Sequence, residues 1–125
     1  MNNEKTLVII KPDSINKNII GEILSYFEKN ELKIVAAKME KKNNFFFEEF
    51  YKEHQKKIFF QELINFMTSK QILALVIEGK EAIKKTRNII GDTNYQNAKE
   101  NTIRKKFASS LTKNAIHGSD SIISA

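Results

Sequence analysis

Ile72-Leu73-Ala74-Leu75-Val76-Ile77, closed by Glu78-Gly79, is the most uniformly apolar stretch of the chain. Six branched or small apolar residues bounded by an acid and a glycine suit a strand buried on both faces, near the middle of a sheet. Working outward, Leu32 to Ala37 reads as a second strand, also expected to be central. Between the two, Phe46 with Phe50, and then Phe59, Leu63, Phe66 and Met67, fall at helical spacing. That spacing predicts a helical hairpin interrupted around Gln55 to Ile58, its aromatic stripe mostly core. Upstream, Thr6-Leu7-Val8-Ile9-Ile10 is a short β-rich run that must stop near Lys11, because Pro12 has no N–H for a ladder. Lys11 is thereby left at a strand tip. Ile19, Ile20, Ile23, Leu24 and Phe27 alternate with Glu22, Ser25 and Glu28 as an amphipathic helix would. Downstream, Ala82, Ile83 and Thr86 predict a helix, Gly91 to Asn97 a long polar loop, Ile103 and Phe107 another helix, and Ala115-Ile116 a last short strand. The order β, α, β, α-rich insert, β, α, loop, α, β implies an α+β sandwich with helices over a four-stranded sheet.

With 125 residues there is room for one domain, residues 1–125, which buries about two-thirds of its unfolded surface. Apolar residues make up 41% of the chain and are spread along it, so every stretch can feed a core. No uninterrupted apolar run reaches the roughly 20 residues that span a bilayer, and Met1 to Lys5 is polar, so a soluble, cytoplasmic protein without a membrane partner is expected. The absence of cysteine excludes a disulfide, a thiol nucleophile and a thiolate metal site. A net charge of +6 favours anionic partners, phosphate-rich small molecules as well as nucleic acid. A composition rich in Lys, Asn and Ile accounts for part of that charge without any partner. Of the 21 basic residues only Arg87 and Arg104 are arginines.

Asn114-Ala115-Ile116-His117-Gly118-Ser119-Asp120 sets an imidazole beside a glycine, a hydroxyl and a carboxylate. A neutral imidazole nitrogen is nucleophilic near pH 7 and can accept a phosphoryl group, and Gly118 is expected to leave space for a close approach. A surface histidine in a turn is the plainer reading of this segment alone. The four glycines, Gly21, Gly79, Gly91 and Gly118, are isolated, so the chain has neither a P-loop nor a dinucleotide fingerprint. A nucleotide would need side-chain clamps, and Lys11, Arg87 and Arg104 are the candidates, since phosphoryl transfer depends on positioning and on neutralising negative oxygens.

The segment from Asn114 to Asp120 resembles the active-site signature of the nucleoside diphosphate kinase family, Asn-x-x-His-Gly-Ser-Asp. The resemblance extends over Thr6 to Asp13, Phe50 to His54, Phe59-Phe60, Glu78-Gly79, Arg87, Thr93 and Thr102-Ile103-Arg104, essentially the whole chain. It implies a ferredoxin-like βαββαβ sandwich with a four-stranded antiparallel sheet and an inserted helical hairpin. It also implies a ping-pong transfer of the γ-phosphate of ATP or another nucleoside triphosphate to a nucleoside diphosphate, with His117 as the nucleophile. Lys11, Arg87, Thr93, Arg104 and Asn114 would hold phosphates and sugar, with Tyr51 near Lys11 and His54 near the α-phosphate. Phe59 would stack on the base, with Leu63 and Leu111 bordering it. An aromatic platform without base-edge hydrogen bonds accepts any base, so broad specificity follows. Phe60, Phe66 and the Phe45 to Phe47 run are expected in core or interface. The family uses Mg2+ bridging the nucleotide phosphates, without direct protein ligands. Ser119 and Asp120 are supporting residues on this reading, Asp120 through water or as a helix cap. A homo-oligomer, tetramer or hexamer, is the expected assembly.

The chain departs from the family pattern at Tyr95 (usually proline), Asn101 (usually glycine) and Lys70-Gln71 (commonly Gly-Pro). It stops at Ala125, before a glutamate that members use to orient the histidine, so the family's C-terminal tail is expected to be missing. Two rival readings are a nucleic-acid-binding protein, which the charge and aromatics suit without needing His117, and a kinase-fold relative with weakened activity that binds nucleotide or nucleic acid.

Overall fold

Strand β1 (Asn3–Ile10) is flanked by β3 (Ile72–Lys80) on one side and β4 (Ile116–Gly118) on the other, and β2 (Lys33–Glu40) lies outside β3, giving the sheet order β2-β3-β1-β4. The structure, a computed structural model, describes residues 3–52, 56–110, 113 and 115–118. All three pairings are antiparallel: Asn3 to Ile10 run against Lys80 to Leu73, Ile9 faces His117, and Lys33 faces Glu78. The helices are α1 (Pro12–Asn16), α2 (Ile20–Lys29), α3 (Asn44–Phe50), α4 (Phe60–Met67), α5 (Ala82–Ile90) and α6 (Ile103–Phe107), with a 3-10 turn at Tyr95–Asn97. This is the ferredoxin-like βαββαβ sandwich, with α3 and α4 inserted between β2 and β3. Among the described residues no helix is long and apolar enough to cross a membrane.

Side-chain alternation along β1 divides the core into two halves. Val8 and Ile10 join Leu75 and Ile77 of β3 under Ile23 and Phe27 of α2, Ile89 and Ile90 of α5, and Ile103 of α6. Ile9 points the other way, into a cluster with Phe47, Tyr51, Leu63, Ile64 and Met67 from the inserted hairpin. Because both faces of β1 and β3 are covered, the unbroken apolar run of β3 is what its position requires. Each fully buried Ile, Leu or Phe contributes about 1.5–3 kcal/mol, far more than the propensity of a five-residue helix such as α6. Ile103 therefore holds α6 in place, and with it Arg104.

Two expectations need correction, and one element was not anticipated. The strand predicted at Leu32 to Ala37 is not central: β2 is an edge strand, irregular between Ile34 and Ala36, and most of its side chains are exposed, including Val35 and Met39. An apolar run marks burial in a sheet only where helices cover both faces, and along β2 only Ile34, among the described residues, packs against the main core. The stripe along the inserted hairpin is also divided, since Leu63 and Met67 are buried while Phe46 and Phe59 are exposed. The short helix α1 was not foreseen, although Pro12 at its first position suits a helix start.

The turn into α6 is made by an asparagine at the position where the resemblance implies a glycine. Asn101 has φ +67, in the left-handed region, and Thr102 caps the helix by accepting from the Lys105 amide. Asparagine tolerates this conformation better than most residues, though less well than glycine. Asn101→Gly should raise the melting temperature, whereas Asn101→Ala should cost about 1 kcal/mol. Thermal denaturation of both variants checks the order, which reverses if the turn is not under conformational strain.

Candidate active site

The site assembles where β1 ends. Pro12 stops the ladder and starts α1, which leaves Lys11 at the turn, 5% exposed, its amide donating to the Ala115 carbonyl at 2.9 Å. Across β1, His117 sits opposite Ile9, so its ring shares the face covered by the α3–α4 hairpin. Tyr51, which caps the C-terminal end of α3, meets that ring edge-to-face at 5.9 Å between centroids. Burial pushes the Tyr51 phenol well above its ordinary pKa, against the pull of Arg104, so the hydroxyl stays protonated.

Both arginines are braced on backbone carbonyls that flank His117. Arg87, on α5, donates through Nη1 to Gly118 O at 3.1 Å. Arg104, on α6, donates through Nη2 to Ile116 O at 2.7 Å and through Nη1 to Gly91 O at 3.2 Å. Among the described residues neither arginine has a carboxylate at ion-pair distance. Carbonyls orient a guanidinium without cancelling its charge, so the cluster remains strongly positive. Burial and the neighbouring charges both work against the charged forms of its members. Burial and then Arg104 lower Lys11 to about 7, with Asp13 opposing. Burial and then Arg87 lower Arg104 to about 10, with Tyr51 and Asp92 opposing. Two arginines and a lysine held together in a partly desolvated recess suit a polyphosphate.

Two glycines make this packing possible. A Cβ on Gly118 would lie 2.7 Å from Cδ1 of the fully buried Ile90, and one on Gly91, whose φ is +95, would lie 2.7 Å from Thr102 Oγ1. Gly118 was expected to make room for a phosphoryl group. Its vacant side-chain position is instead filled by α5, which brings Arg87 against β4.

The structure thus brings together Lys11, Tyr51, Arg87, Arg104 and His117. Phe59 stands 44% exposed at the start of α4 with Lys57 Nζ 5.6 Å from its ring centroid, Leu63 lies buried in the Tyr51 cluster, and Thr93 is exposed in the loop after α5. His54, Leu111, Asn114, Ser119 and Asp120 lie outside the described residues. Asp13 and Ser14 received no role from the sequence, yet both are buried against Ala115: Asp13 Oδ2 accepts from the Ala115 amide at 3.1 Å and Ser14 Oγ donates to its carbonyl at 3.0 Å. The available signal was an acid and a hydroxyl directly after the lone proline.

Comparison with known proteins is consistent with this geometry. The family model for nucleoside diphosphate kinase matches residues 4–125. A nucleoside diphosphate kinase of Nitrosospira multiformis is 49% identical over 117 residues, which is 94% of this chain and 83% of the relative. One from Clostridium perfringens is 48% identical over 122 residues, 98% of this chain and 85% of the relative. Among solved structures, the Aquifex aeolicus nucleoside diphosphate kinase superposes with a TM-score of 0.94 at 43% identity, covering 99% of this chain and 90% of that one. The Halobacterium salinarum nucleoside diphosphate kinase in complex with CDP gives 0.92 at 38% identity, covering 95% and 78%.

The contact at Gly118 is open to a direct check. Gly118→Ala should destabilise the fold by about 1–3 kcal/mol through overpacking against Ile90. Ile90→Val removes the clashing Cδ1, so the double variant should recover much of that loss in denaturant melts. No recovery would place the constraint elsewhere than in the approach of α5 to β4.

Proposed function

Because the chain belongs to the nucleoside diphosphate kinase family, we propose that His117 carries the phosphoryl group in a ping-pong transfer between nucleotides. The observation that carries this reading is the placing of His117 on β4 between two carbonyls that each brace an arginine, with Lys11 at the adjoining strand end. In the first half-reaction a neutral imidazole nitrogen attacks the γ-phosphorus of a nucleoside triphosphate. The bond to the bridging oxygen breaks and the diphosphate leaves with the electron pair. In the second, a terminal oxygen of another nucleoside diphosphate attacks the phosphohistidine, and the N–P bond breaks. One set of cations serves both directions, because both transition states place negative charge on the same oxygens.

Lys11, Arg87 and Arg104 hold the phosphates on this reading, Thr93 and Asn114 add polar contacts, and His54 lies near the α-phosphate. Phe59 offers an exposed ring face for the base, beside Leu63 and Leu111, and Tyr51 fixes the imidazole from its edge. Magnesium, when bound to the nucleotide, neutralises phosphate charge. The cationic donors beside His117 suit phosphate oxygens rather than a metal, so the ion would ride on the nucleotide, with Ser119 and Asp120 as supporting residues. The site is most economically housed in one domain over residues 1–125 of a cytoplasmic protein. The unpaired edge of β2, with Val35 and Met39 exposed, favours self-association into a homo-oligomer, tetramer or hexamer. A role in nucleic-acid binding is secondary, since the braced arginines converge on a single histidine rather than forming a backbone track.

Incubation with ATP labelled on the γ-phosphate should give an acid-labile, base-stable phosphoprotein, and His117→Ala should give none while still binding ADP. Label persisting in that variant would overturn the assignment.

The titration of Lys11 sets a second expectation. Its folded pKa of about 7 lies below the ordinary 10.5, so between those values the unliganded fold holds fewer protons than a free lysine would. Phosphate favours the ammonium form, hence ADP binding takes up a proton in this range. Affinity should therefore fall as pH rises from 7.5 to 9.5, by up to about tenfold per unit, and Lys11→Met should abolish the slope. Calorimetric titration across that range checks it. A flat profile in the wild type would show that Lys11 is charged before the nucleotide arrives.

A further inference from the structure

Ala115 adopts φ +76, a left-handed conformation that residues with a Cβ rarely take, two positions before His117. Three groups of the β1–α1 turn grip it there. The Lys11 amide and Ser14 Oγ both donate to its carbonyl, at 2.9 and 3.0 Å, and its own amide donates to Asp13 Oδ2 at 3.1 Å. All of these groups are buried, Ser14 and Ala115 completely. We propose that Asp13, supported by Ser14, is a positioning residue for His117, acting through Ala115.

The imidazole is carried by a very short strand, met by Tyr51 at the ring edge and by Arg104 at Ile116 O. Strand β4 has three residues and, among the described residues, pairs only with β1, at Val8, Ile9 and Ile10. So short a ladder leaves its register and tilt to whatever holds its ends. The exit is held by Arg87 on Gly118, and the entry by the grip on Ala115. Ala115 leads directly into β4, so a shift of its backbone moves the entry of the strand and carries the imidazole with it. Misplacement of a reacting group by about 1 Å can cost about a hundredfold in rate.

Two simpler roles for Asp13 account for less. As an acid in the first turn of α1 it would complement that helix's dipole, but the helix has only five residues and Oδ2 is spent on an amide 102 residues away. As a counter-ion for Lys11 it is outweighed, since burial and Arg104 together still lower that lysine. Burial also pushes the Asp13 carboxyl up, the opposite of what a dominant ion pair would do. A hydrogen bond that orders Ala115 explains why a carboxyl is kept at so unfavourable a place.

The inference rests on the kinase reading above, and the experiment separates the two. Single-turnover phosphorylation of His117 by labelled ATP, and ADP affinity by calorimetry, are measured for the full chain and for Asp13→Ala, Asp13→Asn and Ser14→Ala. Asp13→Ala should slow phosphorylation about tenfold to a hundredfold, the usual cost of losing a supporting contact, while ADP affinity stays within about threefold. Asp13→Asn should keep the wild-type rate within about threefold, because its amide oxygen accepts the same N–H. Ser14→Ala should cost less, up to about fivefold, since the Lys11 amide still holds the carbonyl. A wild-type rate in Asp13→Ala overturns the inference, as does an Asp13→Asn variant as slow as Asp13→Ala, or a loss of affinity that tracks the loss of rate. If circular dichroism shows that Asp13→Ala does not fold, the other two variants decide: Ser14→Ala slowed at unchanged affinity supports the inference, and Ser14→Ala at the wild-type rate overturns it. Absence of label on His117 in the unaltered chain would instead overturn the kinase reading itself.

Discussion

The pairing of Ile9 with His117 across β1 and β4 is the contact on which the site depends. It places the imidazole on the hairpin side of the sheet and turns Ile116 and Gly118 toward the α2–α5 side, where the first is buried in the main core and the second admits Ile90. The same three residues present the carbonyls that brace Arg104 and Arg87. The imidazole and both arginines are therefore referenced to one short piece of backbone. Their mutual distances cannot drift independently, which is what a reaction governed by positioning demands.

This arrangement opposes stability locally. Lys11 and Arg104 are nearly fully buried, and each has its pKa lowered first by burial and next by a neighbouring cation. Their strain is offset by the two hydrophobic clusters that sandwich β1, whose fully buried side chains include Phe27, Phe47, Ile64 and Ile77. Local conflict of this kind, held by a well-packed surround, is typical of sites where charge is stored for a ligand. Phosphate oxygens set among these groups would relieve that repulsion.

Much of the fold was legible because its strongest signals were periodic or terminal. Pro12 ended β1, the run from Ile72 to Ile77 marked β3, and the spacing of Ile23 with Phe27 marked the buried face of α2. The place of β2 was not legible, because edge and centre differ in what covers a strand, and coverage is decided by elements far away in sequence. The cluster around β4 was signalled by a motif and by scarcity: the histidine within its seven-residue signature, and arginine at only two positions, both of which meet the backbone of β4. Asp13 and Ser14 were invisible for the opposite reason. Their partner is Ala115, and no local pattern links an acid to an alanine amide more than a hundred residues on.

The scarcity of arginine has a structural cause once both side chains are seen in place. Arg104 reaches Gly91 O with one terminal nitrogen and Ile116 O with the other, so a single rigid plane ties the end of α5 to β4. A lysine brings one nitrogen on a freely rotating stem. It could meet either carbonyl, but it could not hold the angle between them or present a flat charged face in a fixed direction. Gly91 is needed for the same tie, because its left-handed φ and missing side chain let its carbonyl turn toward Arg104 without striking Thr102. In a chain whose other basic residues are all lysines, arginine persists where the charge must also serve as a strut. Charge and geometry are then supplied by the same atoms, and neither can be altered without the other.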